Sequence, residues 1–474
     1  MTGRFRIADR IEVLRRGPMR ILFNPANVNP VFFPSGGDEV VDLLLGMKET
    51  GGFAPSTLPD GCTEDMFEFF LAHSLIVPDT PGPRQAGRQC CGCNPTSSRL
   101  SSSRSVYLLL THSCNQACIY CLNGIETYRK QEQLAMSEDV AYRALQTAVD
   151  SITDDGRLEV VFFGGEPLLN WDLAKEIIRY CSEELLPRYP KVQVHYNLTT
   201  NLTVFPDDLI DVAQEHGMTF LVDVDGPEEI HDRTRPFIGG RGSFRTTAAH
   251  LERLAAAGIQ ASLRATVTSH NVSRMLEVAQ THKDLAGASC AFVPLNPVDS
   301  DIQLLDMSMC PSPKLLADGL QQVYRSGLWD VERLFPFNEY QGRLQPGYSN
   351  RWGCGAPFGN TPVITAHGKI YSCIYLVGNR RYEVGDLMLN DFPKKDVLAD
   401  MLDAVDITKR DRCSGCSFRH LCGGGCPVGV FSIADNPNAS PELQQYVRDI
   451  SCAVSKTVLT ELFWRMADTI ELSS

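Results

Sequence analysis

Three cysteines fall within the stretch CNQACIYC, as Cys114, Cys118 and Cys121, with no histidine and no fourth cysteine beside them. Structural metal sites usually close with four ligands, so three thiolates leave one coordination position for something else. Spaced CxxxCxxC on one loop, they can hold three irons of a cubane cluster and leave the fourth iron without a protein ligand. A zinc site, or buried thiols without metal, are the plainer alternatives. Seven of the 17 cysteines lie after residue 350: Cys354, Cys373, Cys413, Cys416, Cys422, Cys426 and Cys452. In a chain without an export signal such an excess points to metal or redox chemistry, because thiols in a reducing compartment do not pair as disulfides. Isolated Cys62, Cys181, Cys290 and Cys310 read as small apolar residues. The cluster Cys90, Cys91 and Cys93 reads as a cysteine-rich linker or, functionally, as a redox relay or further metal site.

The elements that must position these residues follow from apolar periodicity. From residue 106 to about 295, strand-like runs (VYLLLTH, LEVVFFGG, QVHYNLTTN, TFLVDVDG, ASLRATVT, CAFVPL) alternate with helical stretches such as SEDVAYRALQTAVDSI. That alternation predicts an α/β fold built on a parallel sheet covered by helices. Chemistry gathers where strand C-termini meet the following loops. There CNQACIYC follows the first strand, GGEP the second, TTN ends the third and DVDG the fourth.

Around this core the chain divides into residues 1–80, 81–105, 106–300, 301–350 and 351–474. The first part reads as two strands (MRILFNP, PVFFPSG) and two helices, a small winged-helix-like unit. Residues 81–105, rich in Pro, Gly, Ser and Cys, mark a linker, and 301–350 a less regular connection. The last part is dense in Cys and Gly, with a hairpin expected about His367 and Gly368; a large core is not expected there, so metal would supply much of its folding energy. A net charge of -13 argues against general nucleic-acid binding. No run is apolar enough to span a bilayer and no signal peptide is evident, so a cytoplasmic location is expected.

At CNQACIYC the sequence resembles the radical S-adenosylmethionine (SAM) family, and FFGGEP and LTTN fall where that family has SAM-contacting segments. The resemblance implies a partial (β/α)6 barrel, a 4Fe-4S cluster on Cys114, Cys118 and Cys121, SAM chelated at its open iron, and one-electron cleavage to a 5'-deoxyadenosyl radical that abstracts hydrogen from substrate. It implies SAM contacts from Gly164, Gly165 and Glu166, with glycine admitting close backbone approach, and from Asn201, where Leu202 replaces the family's glycine. Asp223 falls where a ribose contact is common, and Arg264 is a candidate for the SAM carboxylate.

The pattern Cys354, Gly368, Cys373, CSGCSFRHLCGGGC and Cys452 resembles the SPASM extension of peptide-modifying radical SAM enzymes, which implies two auxiliary 4Fe-4S clusters and three in all. By position Cys354, Cys373 and Cys426 would serve the first, and Cys413, Cys416, Cys422 and Cys452 the second. QPGYSNRWGC lacks the further cysteine some members carry, so the first set is short of a ligand. A substrate cysteine, Cys310, a cysteine of the 90–93 loop or another side chain could complete it.

These resemblances imply an enzyme modifying a ribosomally synthesised precursor peptide, with the leader bound by the N-terminal unit and a one-electron donor such as flavodoxin or ferredoxin. A thioether crosslink is the expected product. Carbon-carbon or carbon-oxygen macrocyclisation is the alternative, as is formylglycine formation on a sulfatase, because VDVDGPEEIHDRTRPF is similar to those maturases.

Overall fold

The structure, a computed structural model, describes residues 4–33, 35–49, 51–79, 101–121, 135–296, 307–345, 348–429 and 439–471. Cys90, Cys91 and Cys93 lie outside the described residues. At the N-terminus come β1 (Phe5–Ile7), β2 (Glu12–Arg16), β3 (Met19–Asn24), β4 (Asn27–Phe33), helices Gly37–Glu49 and Glu64–Ala72, and β5 (Ile76–Pro78). Strands β2, β3 and β4 form an antiparallel sheet in that order, while β1 pairs with β5. Three antiparallel strands, β1, β2 and β5, are therefore present beyond the two that the apolar runs predict, and β2 is the one that joins their sheet. The sequence of β2, EVLRR, is too charged to stand out by alternation.

The centre of the molecule is a ten-stranded sheet. Its strands are β6 (Ser101–Thr111), β7 (Ile152–Gly164), β8 (Gln193–Thr200), β9 (Thr219–Asp223), β10 (Ser262–Val267), β11 (Ser289–Pro294), β12 (Leu334–Phe335), β13 (Val363–Ile364), β14 (Lys369–Tyr371) and β15 (Glu383–Asp386). They are ordered β12-β11-β10-β9-β8-β7-β6-β13-β14-β15. All six predicted strands are present and parallel, β6 to β11. A short parallel strand, β12, is added inside the stretch read as a connection. β6 starts at Ser101, inside the expected linker, because the polar run SSSRS pairs along β7 without any apolar alternation.

Alternation along the strands creates two faces. Phe162, Leu198, Val222, Leu263 and Phe292 are fully buried and belong to the hydrophobic clusters on which the helices pack. Their neighbours Phe163, Thr199, Asp223, Arg264 and Val293 face a cavity. Helix Glu138–Val149 illustrates the local code: Ser137 caps it by accepting from the Val140 amide, acidic residues fill its first turn, and Val140, Ala141, Ala144, Leu145 and Ala148 form its buried stripe.

The expected division at residue 351 is not a break in the sheet. The hairpin β13–β14, turning at His367 and Gly368 as expected, extends the sheet by parallel pairing of β13 with β6. The C-terminal part also holds more core than expected. Helix Pro441–Glu471 buries Ile450, Val458, Leu459, Leu462, Phe463 and Ala467. They share one cluster with helix Pro313–Arg325, with β10 to β12, and with Met19, Ile21 and Phe23 of β3. Among the described residues no helix is long and apolar enough to cross a membrane.

Candidate active site

The cysteine loop is gripped from two sides. On one side the end of β7 meets the end of β6: the Gly165 amide donates to Thr111 O and the Glu166 amide to Ser113 O, both at 2.8 Å. Gly164 has φ +142°, and a Cβ on it would stand 2.3 Å from Thr111 O; a Cβ on Gly165 would stand 2.2 Å from Ser113 O. Both glycines are required by this approach of backbone to backbone, before any ligand is considered. On the other side residues 234–238 run beside the loop. Ala117 N donates to Pro236 O (2.8 Å), Ile119 N to Thr234 O (3.0 Å) and Ile238 N to Asn115 O (2.9 Å). Part of the maturase-like stretch HDRTRPFI is therefore a brace for the cysteine loop.

Cys114, Cys118 and Cys121 line one cavity of about 180 Å³ together with Gly164, Gly165, Asn201, Asp223 and Arg264. Its remaining wall mixes polar groups with Phe163, Val293, Pro294, Leu295 and Ile374. Burial raises the Cys114 thiol to about 11 and pushes Cys118 higher still; Cys114 feels the neighbouring charge of Cys121, and Cys118 those of Cys114 and Cys121. Thiols so desolvated become thiolates when a cation supplies the compensating charge. Among the described residues no three His, Cys, Asp or Glu converge tightly enough to hold one metal ion. Three cysteine sulfurs around one cavity are a donor set that suits an iron-sulfur cluster.

Two aspartates and two arginines form a buried ladder on the cavity wall. Asp223 accepts from Arg264 Nε (2.7 Å) and Nη2 (3.1 Å), and Arg235 Nη1 lies 3.2 Å from Asp223. Arg235 Nε stands 3.1 Å from Asp225, which also accepts from Tyr120 Oη (2.5 Å), Thr234 Oγ1 (2.7 Å) and the Thr266 amide (3.0 Å). The guanidinium of Arg235 lies over the Tyr120 ring, 5.3 Å from its centroid. Asp223 and Arg264, expected to meet different parts of a ligand, are thus each other's partners. Arg235, Asp225 and Tyr120 were not singled out by sequence, because one arginine in HDRTR carries no spacing signal.

Glu166 differs from expectation. It is fully buried and does not line the cavity. Its carboxylate accepts from Thr200 Oγ1 (2.7 Å), the Asn201 amide (2.8 Å) and the Leu168 amide (3.0 Å), leaving the Gly164 and Gly165 backbone as the part of GGE that faces the cavity. These three bonds tie β7 to the end of β8. Desolvation nevertheless outweighs them and raises its pKa from 4.5 to about 7. Asn201 stays at the site: its Nδ2 reaches Cys114 Sγ (3.7 Å) and Asn115 Oδ1 (3.1 Å). Leu202 holds a left-handed conformation of the kind that favours glycine, φ 54°, with its side chain fully buried.

A raised acid pKa contributes stability that is complete below the unfolded value and is lost as pH rises through the folded one. Glu166→Gln is therefore expected to flatten the pH dependence of unfolding free energy between about 4.5 and about 7. It also sets an amide donor against backbone donors, at a cost of about 1–3 kcal/mol. Denaturant titrations of both proteins at several pH values measure the two effects; parallel curves would contradict the assignment.

The later cysteines fall into two further groups. Cys354 and Cys373 each feel Cys426, and Cys373 also feels Cys354. Cys413 and Cys452 each feel Cys416 and Cys422. Cys354, Cys426 and Cys452 are accessible, yet burial raises their thiols. A side chain that is both reachable and desolvated lines a recess, which suits a bound cluster. Ile374 and Tyr375, directly after Cys373, line the cavity that Cys114 lines. Cys310 packs elsewhere, with Tyr120 and Leu295 beside Cys118, and so is not gathered with the first of these groups.

Residues 108–281 match the model of the radical SAM superfamily. Over 347 residues the chain is 24% identical to the serine-type anaerobic sulfatase-maturating enzyme of Klebsiella pneumoniae, covering 68% of this chain and 81% of that protein. Among solved structures it is similar to anSMEcpe with bound AdoMet and Cp18Cys peptide, at TM-score 0.62 and 17% identity, over 78% of this chain and 100% of that one. It is also similar to Streptococcus suis SuiB bound to the precursor peptide SuiA, at TM-score 0.50 and 13% identity, over 89% and 95% respectively.

Proposed function

From the premise that this chain is a radical SAM enzyme, we propose that it modifies a ribosomally synthesised precursor peptide, joining a cysteine sulfur to a carbon of the same peptide as a thioether. The observation that supports this most is the shared wall: Ile374 and Tyr375, next to Cys373, line the cavity that Cys114, Cys118 and Cys121 also line. A peptide segment in the cavity would lie between the two sets of thiols. When bound, a 4Fe-4S cluster on Cys114, Cys118 and Cys121 with SAM at its open iron supplies a one-electron cleavage that removes a hydrogen atom from substrate. Cys354, Cys373 and Cys426 would hold the first auxiliary cluster, and Cys413, Cys416, Cys422 and Cys452 the second, with a flavodoxin or ferredoxin as external donor.

The chain's own residues have separate tasks. Gly164, Gly165 and residues 234–238 hold the cysteine loop in register. The Asp223–Arg264 and Asp225–Arg235 pairs give the cavity wall polar anchors whose charges cancel, so a neutral or zwitterionic group is tolerated at little cost. Phe163, Val293, Leu295 and Ile374 exclude water and limit stray hydrogen donors. Among the described residues β2 and β4 each have one strand partner, so either outer edge of that sheet could accept a leader peptide as an added strand.

Formylglycine formation is the second reading, favoured by the 68% of the chain that aligns with a sulfatase-maturating enzyme. Because residues 234–238 brace the cysteine loop, similarity there says little about substrate. Mass spectrometry of a cysteine-containing candidate peptide, incubated anaerobically with the reconstituted protein, SAM and reductant, separates the readings. Loss of two hydrogens that is blocked by prior alkylation supports the thioether. The same loss with cysteines blocked would instead support a carbon-carbon or carbon-oxygen bond, and an aldehyde at a sulfatase-type cysteine or serine would support formylglycine.

A further inference from the structure

The polar atoms of Asn201, just after β8, can be accounted for one by one. Its amide donates to Glu166 Oε2 (2.8 Å) and its carbonyl accepts from Thr247 Oγ1 (3.0 Å), so buried side chains fix the backbone on both sides. Its Oδ1 accepts from the Thr203 amide (2.9 Å) and from Thr203 Oγ1 (2.7 Å). The left-handed Leu202 between them turns the chain so that the Thr203 amide reaches back two residues. Of the four polar groups only Nδ2 remains. It reaches Asn115 Oδ1 (3.1 Å) and Cys114 Sγ (3.7 Å), the latter a normal separation from a nitrogen donor to the larger sulfur atom.

A side-chain amide has nearly the same shape after a half-turn, so its partners decide which end faces the sulfur. Here three side chains close a ring. Asn201 donates to Asn115, Asn115 Nδ2 donates to Thr203 Oγ1 (2.7 Å), and Thr203 Oγ1 donates back to Asn201. The ring could run in the opposite sense were it not for the Thr203 backbone amide, a donor that only Oδ1 can accept. Nδ2 is therefore held toward Cys114, and both of its hydrogens are engaged, which leaves none for a SAM contact. Cys114 Sγ receives a second N–H from the backbone of Gln116 (3.5 Å).

We propose that Asn201 is a tuning residue for the iron held by the Cys114 triad: its N–H, bonded to the Cys114 thiolate, raises the reduction potential there, and Thr203 keeps the amide so oriented. The inference rests on the reading of Cys114, Cys118 and Cys121 as cluster ligands. A donor at a ligating sulfur withdraws electron density and offsets the negative charge that arrives with the electron, so the reduced state gains. Asn201 is only 7% exposed, so the bond is made in a poorly solvated site where it counts for more than it would in water. Glu166 and Thr247 act one step further out, by fixing the backbone from which the amide hangs.

The test is a redox titration of the full chain, reconstituted anaerobically and followed by electron paramagnetic resonance. The signal missing from the variant with Cys114, Cys118 and Cys121 changed to alanine is that of the triad cluster. Asn201→Leu removes the donor without adding charge, and Thr203→Val takes the hydroxyl out of the ring while leaving Asn201 in place. Asn201→Leu is expected to lower the triad midpoint by about 59 mV, a tenfold change for one electron and the scale of one hydrogen bond. Thr203→Val should lower it by less, and Thr203→Ser, which keeps the hydroxyl, should match the parent. Iron content and the midpoints of the later clusters should stay as in the parent, a pattern that general loosening of the fold would not give. An unchanged triad midpoint in Asn201→Leu would overturn the proposal. Should that variant fail to hold iron at the triad, an unchanged midpoint in Thr203→Val would do so instead. A parent protein with no signal assignable to the triad would overturn the cluster assignment and the tuning with it.

Discussion

Replacing Cys114, Cys118 and Cys121 together by alanine is expected to abolish formation of 5'-deoxyadenosine from SAM while leaving the iron held by the later cysteines in place. The expectation rests on separation within the fold. The three residues sit on one loop after β6 and line a cavity that none of the seven later cysteines lines. Burial raises the thiols of Cys114 and Cys118, so neither has much thiolate to offer without its neighbours and a metal. Removing the triad deletes that site outright and should not unfold the protein, because none of the three belongs to the packed strands. Iron analysis and chromatography of reaction mixtures measure both halves. Continued SAM cleavage by the triple variant would end the assignment of the site.

A substitution that adds a single carbon should do nearly as much damage. In Gly165→Ala the new Cβ would stand 2.2 Å from Ser113 O and 2.7 Å from Ser113 C, backbone atoms that no side-chain rotation can relieve. The strand end and the cysteine loop must separate, breaking the bonds from the Gly165 and Glu166 amides to Thr111 and Ser113. A displacement on the order of 1 Å at a reacting centre costs roughly a hundredfold in rate. SAM cleavage should therefore fall by about that factor, with loss of iron from the first site only, since the later cysteines do not touch this junction. Anaerobic iron counting alongside deoxyadenosine assays checks it. Normal activity in the alanine protein would mean that the close approach of the two backbones is not required.

Much of the fold that carries this site is legible in the sequence. Strand-helix alternation located all six parallel strands, and the chemistry-bearing segments fell at their C-terminal ends as the alternation requires. What escaped was whatever depended on residues distant in sequence. Glu166 looks like a ligand-facing carboxylate in FFGGEP; only the fold shows Thr200 and the Asn201 amide claiming it. Asp223 and Arg264 read as contacts to different parts of a ligand because nothing in their spacing reveals that β9 and β10 are neighbours in register. Helix Pro441–Glu471 was hidden by the density of cysteine and glycine before it, and by contacts on several sides that blur a single apolar stripe. Leu202 escaped for a local reason: nothing in its type announces the left-handed backbone it adopts.

The packing of β3 also has a consequence for how the chain comes to be folded during synthesis. Phe23 stacks on Phe418, 5.9 Å between centroids, and meets Phe463 at 5.0 Å, while Arg16 pairs with Asp468 and lies over Trp464. A ribosome releases residues 16–23 more than four hundred residues ahead of 463–468. At about 5–20 residues per second, the early sheet waits tens of seconds with Met19, Ile21 and Phe23 uncovered. The nascent N-terminal unit is thus a natural client for a holdase, and its sheet cannot be fully covered until the last helix has left the tunnel.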